Sequence, residues 1–171
     1  NIIATVHYYS PFNFTHQGAS WSQHKEETGV KWLGSDEEKQ AIVDDLSKAQ
    51  AWAKKHDRPL VLGEFGGFDK AEMTSRGRYL EYLTQTVEAL GWSWAYWQFD
   101  KDFVLYDIDK GAWNEPVKNA ILHQGPVDAV PYYTTRGQDI IDSQTGKPVV
   151  RKGFGIGGWL LPEGYMLGIR K

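Results

Sequence analysis

The residues of this 171-residue chain best suited to chemistry stand at the ends of three apolar runs. Glu64 follows Pro59-Leu60-Val61-Leu62-Gly63 and precedes Phe65-Gly66-Gly67, so it is the first reactive group after a run that reads as a strand buried on both faces. Strands of that kind belong to parallel sheets covered by helices, whose ligands and catalytic groups gather at the C-terminal strand ends. The arrangement recurs twice more. Ile2-Ile3-Ala4-Thr5-Val6 leads into His7-Tyr8-Tyr9, and Ser93-Trp94-Ala95-Tyr96 leads into Trp97-Gln98-Phe99-Asp100. His7 and Tyr9 are two residues apart, which on a strand turns both side chains to one face and sends Tyr8 to the other, under a helix. A carboxylate, an imidazole, a phenol and an indole at neighbouring strand ends form the candidate site.

Two helices must position these strands. Ser35-Asp36-Glu37-Glu38 has capping-box spacing, which predicts a helix from about Asp36 whose apolar face carries Ile42, Leu46, Ala49 and Ala53. Lys54, Lys55 and His56 favour the negative end of its dipole. A second helix is predicted from Thr74 to Ala89, with Leu80, Leu83, Val87 and Leu90 as its buried stripe. The order strand, helix, strand, helix, strand predicts an α/β fold of parallel βαβ units, and right-handed crossovers place all three strand ends on one rim. Beyond the third strand, Asn114-Glu115-Pro116 reads as the start of a short helix over 115–122. Gly125-Pro126 and Pro131 mark a linker. Asp139-Ile140-Ile141-Asp142 and Val149-Val150-Arg151 flank a six-residue loop and predict a hairpin, followed by a last strand at Gly153-Phe154-Gly155-Ile156-Gly157.

Composition excludes several classes of partner. A net charge of -3 with scattered Lys and Arg argues against nucleic acid. No apolar stretch reaches the about 18 residues of a membrane helix, and there is no signal-peptide core. With no Cys there are neither disulfides nor thiolate metal sites, and the five His lack ligand spacing, so no metal or other cofactor is expected. The chain opens without Met inside an apparent strand, which reads as a processed product or a fragment. Aromatics make up 14% of the chain, including 8 Trp; such rings stack on sugar faces and also fill cores. Trp32, Trp52, Trp92 and Trp94 read as packing residues.

Four stretches together resemble glycoside hydrolase family 5, the cellulase and endoglucanase group: 5–12 (Thr-Val-His-Tyr-Tyr-Ser-Pro-Phe), 14–21 (Phe-Thr-His-Gln-Gly-Ala-Ser-Trp), 63–66 (Gly-Glu-Phe-Gly) and 94–97 (Trp-Ala-Tyr-Trp). The resemblance implies a (β/α)8 barrel of retaining β-glycosidases, with residues 1–123 as its sixth to eighth strands, 124–137 as a linker, and 138–171 as its N-terminal hairpin and first strand. The expectation is therefore a permuted half of a TIM barrel, with strands in the order six, seven, eight, one, completed by association with a complementary half-barrel chain or a second copy. Strand eight neighbours strand one in a closed barrel, so the four are spatial neighbours despite their order.

By the same resemblance Glu64 matches the nucleophile, and His7 and Tyr9 match a His-x-Tyr pair in which the phenol holds the nucleophile and the imidazole contacts sugar or acid. Trp97 matches the floor of the subsite for the sugar to be cleaved, and His16, Trp21 and Trp159 are candidates for neighbouring subsites. Retaining hydrolysis needs a second carboxyl about 5 Å from the first. The family's acid/base Glu has no counterpart here, since Asn114-Glu115-Pro116 reads as a helix start and Glu163 as a loop residue. The isolated chain is thus expected to be a poor enzyme or none, because acid/base catalysis is worth about 10²–10⁴-fold. The implied substrate is a β-1,4-glucan and the implied location secreted, periplasmic or cell-surface. A noncatalytic carbohydrate-binding module and a purely structural half-barrel remain the alternatives.

Overall fold

In the computed structural model, which describes residues 2–123, 133–136, 139–142 and 152–154, the chain runs β1 (Ala4–Tyr8), α1 (Phe12–Thr15), α2 (Asp36–His56), β2 (Leu60–Phe65), α3 (Met73–Ala89), β3 (Ser93–Tyr96), β4 (Tyr106–Asp107), β5 (Ala112–Trp113), α4 (Glu115–Leu122), β6 (Tyr133–Arg136), β7 (Asp139–Asp142) and β8 (Lys152–Phe154). The capping box is formed: Ser35 Oγ accepts from the Glu38 amide at 3.2 Å, and Glu38 Oε2 accepts from the Ser35 amide at 2.9 Å. The helix ends at Asp57 in the left-handed region, φ 50, with Lys54, Lys55 and His56 in its last turn.

The four principal strands form one parallel sheet in the order β1-β2-β3-β8. One face of it is dry. Tyr8, Leu60, Leu62, Phe65, Trp94 and Tyr96 join Ile42, Leu46 and Ala53 of α2 and Tyr79, Leu80, Leu83 and Val87 of α3 in a single core. Each large side chain so removed from water contributes about 1.5–3 kcal/mol. Tyr8 lies on the helix side, its hydroxyl donating to Asp45 of α2 at 3.3 Å.

The opposite face corrects the expectation that β2 is buried on both sides. Thr5 and His7 are exposed, and Val61, Gly63, Glu64, Ser93 and Ala95 are only half-buried, because the described helices pack on one side of the sheet. Among the described residues the sheet therefore has one open face. Trp32, Trp92 and Trp94 are core residues, whereas Trp52 is 46% exposed and lies over His56. The packing reading of Trp52 is corrected accordingly: its position on α2 turns it toward the uncovered β1 margin, beside Ala4, Thr5, Val6 and Leu60.

Other differences are local. The cap of α3 is Glu72, whose carboxylate accepts from the Thr74 and Ser75 amides at 3.3 and 2.9 Å and holds its own pKa down to about 2 through those backbone bonds. Asn114 stands at the N-cap position of α4 but spends its side chain on Val104, and Glu115 in the first turn pairs with Lys118 at 2.8 Å. The two-residue pair β4–β5 was too short to show in the sequence pattern. Tyr133–Arg136, expected as linker, is a strand that pairs antiparallel with Asp139–Asp142. The partner expected at 149–151, the loop 143–148 and residues 155–157 lie outside the described residues. No helix among the described residues is long and apolar enough to cross a membrane.

Candidate active site

The site is built by a dislocation between β1 and β2. Val6 lies opposite Leu62 but His7 lies opposite Glu64, so Gly63 is the extra residue of a bulge that re-aims the end of β2. Gly63 is required there, since a Cβ on it would overlap Thr5 Oγ1 and sit 3.6 Å from His7 Nε2. The bulge brings Glu64 level with His7 on the open side of the sheet.

One phenol donor and one imidazole nitrogen converge on a single carboxylate oxygen. The Tyr9 hydroxyl donates to Glu64 Oε2 at 3.3 Å, and His7 Nδ1 lies 3.4 Å from the same atom. Oε1 accepts no hydrogen bond from the described residues. The Glu64 side chain is 25% exposed and that of His7 49%, so solvent reaches both. Burial, reinforced by the negative charge of Glu64, pushes the Tyr9 phenol far above the usual tyrosine range and keeps it a donor.

Tyr9 is held from behind by an aromatic cluster. His16 meets it edge-on at 5.1 Å and Phe103 at 6.0 Å, and Phe12 stacks on His16 at 4.8 Å. The Thr15 hydroxyl donates to the Tyr9 carbonyl at 2.5 Å and lies 2.9 Å from His16 Nδ1. Because the single Thr15 proton goes to the carbonyl, His16 Nδ1 is the protonated nitrogen and donates to Thr15 Oγ1. Burial first, then the His24 charge, lowers the His16 pKa and favours that neutral form.

Trp97 continues β3 beside the same strand end. Its amide donates to the Phe65 carbonyl at 2.9 Å, and its own carbonyl lies against Gly66, where any Cβ would collide with it. The indole is half-buried. Trp21 is 56% exposed and leans edge-on against Phe68 at 5.0 Å, as a rim residue. The structure thus assembles Glu64, His7, Tyr9 and Trp97 at the ends of the three adjacent strands β1, β2 and β3, sets the half-buried His16 against Tyr9, and leaves Trp21 at the edge. Trp159 lies outside the described residues. No second carboxylate shares the hydrogen bonds of Glu64 among the described residues, and none of their His, Asp and Glu groups could hold a metal ion.

Phe103 is the site residue that sequence reasoning missed. It is 3% exposed and lies in a loop with no periodicity, so only its aromatic type hinted at a role.

A family model described as Cellulase (glycosyl hydrolase family 5) matches residues 1–102. Endoglucanase 3 of Fibrobacter succinogenes is 26% identical over 141 aligned residues, covering 64% of this chain and 21% of its own length. A hyperthermophilic endo-β-1,4-glucanase solved in complex with substrate is 44% identical, with a TM-score of 0.69, over 72% of this chain and 40% of that one. Cel5A of Thermotoga maritima, solved in complex with cellobiose, is 38% identical with a TM-score of 0.67, over 70% of this chain and 39% of that one. This chain therefore spans less than half the length of each of these relatives.

Proposed function

Since the chain belongs to the family 5 glycosyl hydrolases, we propose that it carries the nucleophile side of a retaining β-glycosidase site acting on a β-1,4-glucan. Glu64 attacks the anomeric carbon through Oε1, while the Tyr9 hydroxyl holds Oε2, with the His7 imidazole beside it, and so fixes the plane of the carboxylate. Trp97 stacks on the pyranose being cleaved. The covalent glycosyl ester forms as the bond from the anomeric carbon to the leaving oxygen breaks, and a natural alcohol leaving group then needs a proton. That proton comes from a carboxyl outside the described residues. The convergence of Tyr9 and His7 on one oxygen of Glu64, on the open face of a parallel sheet, is the observation that carries this reading. The solved complexes of a relative with cellobiose and with mannotriose support a β-linked hexose chain as substrate.

The fold makes a matching demand. We take β1, β2, β3 and β8 as four consecutive barrel strands, equivalent to the sixth, seventh, eighth and first, with 1–123 and 138–171 as the two pieces and 124–137 between them. The parallel pairing of β8 on β3 and the wet face at Thr5 and His7 support that assignment. A complementary half-barrel or a second copy completes the barrel and the acid/base. A glycan of this kind places the protein outside the cytoplasm.

The test is covalent trapping with a dinitrophenyl deoxyfluoro-β-cellobioside. Glu64 forms a bond to the anomeric carbon while dinitrophenolate leaves with the electron pair, and this leaving group needs no proton. The expected result is one cellobiosyl adduct per chain, located on Glu64 by peptide mass spectrometry and lost in Glu64→Gln. Saturable binding without an adduct points to a noncatalytic carbohydrate-binding module, and neither outcome points to a structural half-barrel.

A further inference from the structure

Arg76 is 1% exposed on a face of α3 otherwise given to core residues, and no carboxylate among the described residues pairs with it. A guanidinium removed from water without a counter-charge is expensive, and a Met of similar volume would avoid that cost. Its Nε has no hydrogen-bond partner among the described residues. What it reaches is the loop after β3: Nη2 donates to the carbonyls of Phe103 and Val104 at 3.4 and 3.5 Å.

The same carbonyls draw donors from two other elements. The Tyr96 hydroxyl donates to the Phe103 carbonyl at 2.6 Å, Asn114 Nδ2 to the Val104 carbonyl at 3.2 Å, and the Asn114 amide to the Leu105 carbonyl at 2.8 Å. Three consecutive carbonyls of an irregular segment are thus gripped from α3, from β3 and from the head of α4. Just before them, Lys101 and Asp102 have φ of 63 and 47, a region that side chains other than glycine avoid unless their surroundings over-determine it. The grip holds Phe103, whose ring lies 6.0 Å from Tyr9, 5.7 Å from His16 and 5.9 Å from Phe68.

We propose that Arg76, Tyr96 and Asn114 are positioning residues that clamp the carbonyls of residues 103 to 105, keep the Phe103 ring against Tyr9, and so keep the Tyr9 hydroxyl on Glu64. The inference rests on Glu64 being the nucleophile, and adds the device that orients it from across the fold.

Trapping kinetics test it. With the dinitrophenyl deoxyfluoro-β-cellobioside, the maximal trapping rate kinact and the half-saturation KI are measured per folded molecule for the whole chain, Arg76→Met, Arg76→Lys, Tyr9→Phe and the double variant Arg76→Met/Tyr9→Phe. Arg76→Met should lower kinact about tenfold, the scale of one hydrogen bond to a charged group, with little change in KI. Arg76→Lys should restore part of the loss. In the Tyr9→Phe background the Arg76→Met change should cost nothing more, which a role confined to stability does not produce. Tyr96→Phe deletes one donor and leaves the Arg76 charge in the chain, and it decides the matter if Arg76→Met does not fold. Unchanged kinact, or an equal loss with and without the Tyr9 hydroxyl, overturns the clamp. An unlabelled wild-type chain overturns the nucleophile reading and the clamp with it, whereas a labelled wild type with indifferent variants overturns the clamp alone.

Discussion

Replacing Gly66 with Ala separates backbone crowding from ordinary glycine flexibility. Gly66 is buried between Glu64 and the start of the loop that follows, and a Cβ there would collide with the Trp97 carbonyl and stand 2.8 Å from Phe103 Cδ1. A side-chain end can swing away, but a carbonyl held by its own chain cannot, so the cost belongs at the upper end of the about 1–3 kcal/mol for overpacking. Gly77 is the matched control: it lies inside α3, and an added Cβ meets nothing within 4 Å. Gly77→Ala should stabilise by about 0.5–1 kcal/mol through helix propensity and a less flexible unfolded chain. The assay is urea unfolding of both variants. With a slope of about 1–3 kcal/mol per molar, Gly66→Ala should lower the midpoint by about 1 M and Gly77→Ala should raise it. Because the collision moves Trp97, KI for the trapping reagent should also rise in Gly66→Ala and stay put in Gly77→Ala. A Gly66→Ala variant within about 0.5 kcal/mol of wild type would refute the claim that Trp97 is wedged against this strand end.

Glu72 should make stability depend on pH in strongly acid solution. Its carboxylate is lowered from 4.5 to about 2 by the amides it caps, so the stabilisation is present above pH 4.5 and is lost as pH falls through about 2. The difference in melting temperature between wild type and Glu72→Gln should shrink over that window, and a difference constant across it would sink the assignment. The exposed Thr5 and His7, with Ile2 and Ile3 at 68% and 63% exposure on the free β1 margin, predict association. Light scattering at micromolar concentration should give a mass above that of one chain, and Ile3→Lys should reduce it; a monomer throughout contradicts the open-sheet argument.

The parts legible in the sequence were those fixed by near neighbours. Ser35 and Glu38 are three residues apart, so their mutual cap and the start of α2 follow from the chain alone. The pairing of His7 with Tyr9 on one face follows equally from strand geometry. Glu72 as a cap did not show, because its long side chain caps only when the preceding turn brings it back over the amides. The one-sided burial of β2 also escaped, since a Leu-rich run records that a strand is buried but not how many layers cover it. Phe103 and Arg76 were invisible for a third reason. Their partners are 94 and 27 residues away from them, Tyr9 in one case and the Phe103 carbonyl in the other, and no local pattern encodes such contacts.

The proposed division of labour between this chain and a complementary half rests on where the contacts of Glu64 originate. Tyr9 and His7 come from the end of β1, adjacent in the sheet to β2, and the cluster behind Tyr9 comes from α1 and the loop after β3. Every one of these contacts lies within residues 7–103. The described residues therefore preorganise Glu64, the nucleophile proposed above, whereas none of them offers a carboxyl to protonate the leaving group. A leaving group that departs as a stable anion should consequently react on the chain alone, and a natural cello-oligosaccharide should turn over only once the missing half is supplied. Equal dependence of both reactions on the partner would mean that the open face rearranges on association, and that the geometry of Glu64 described above is not the one that attacks.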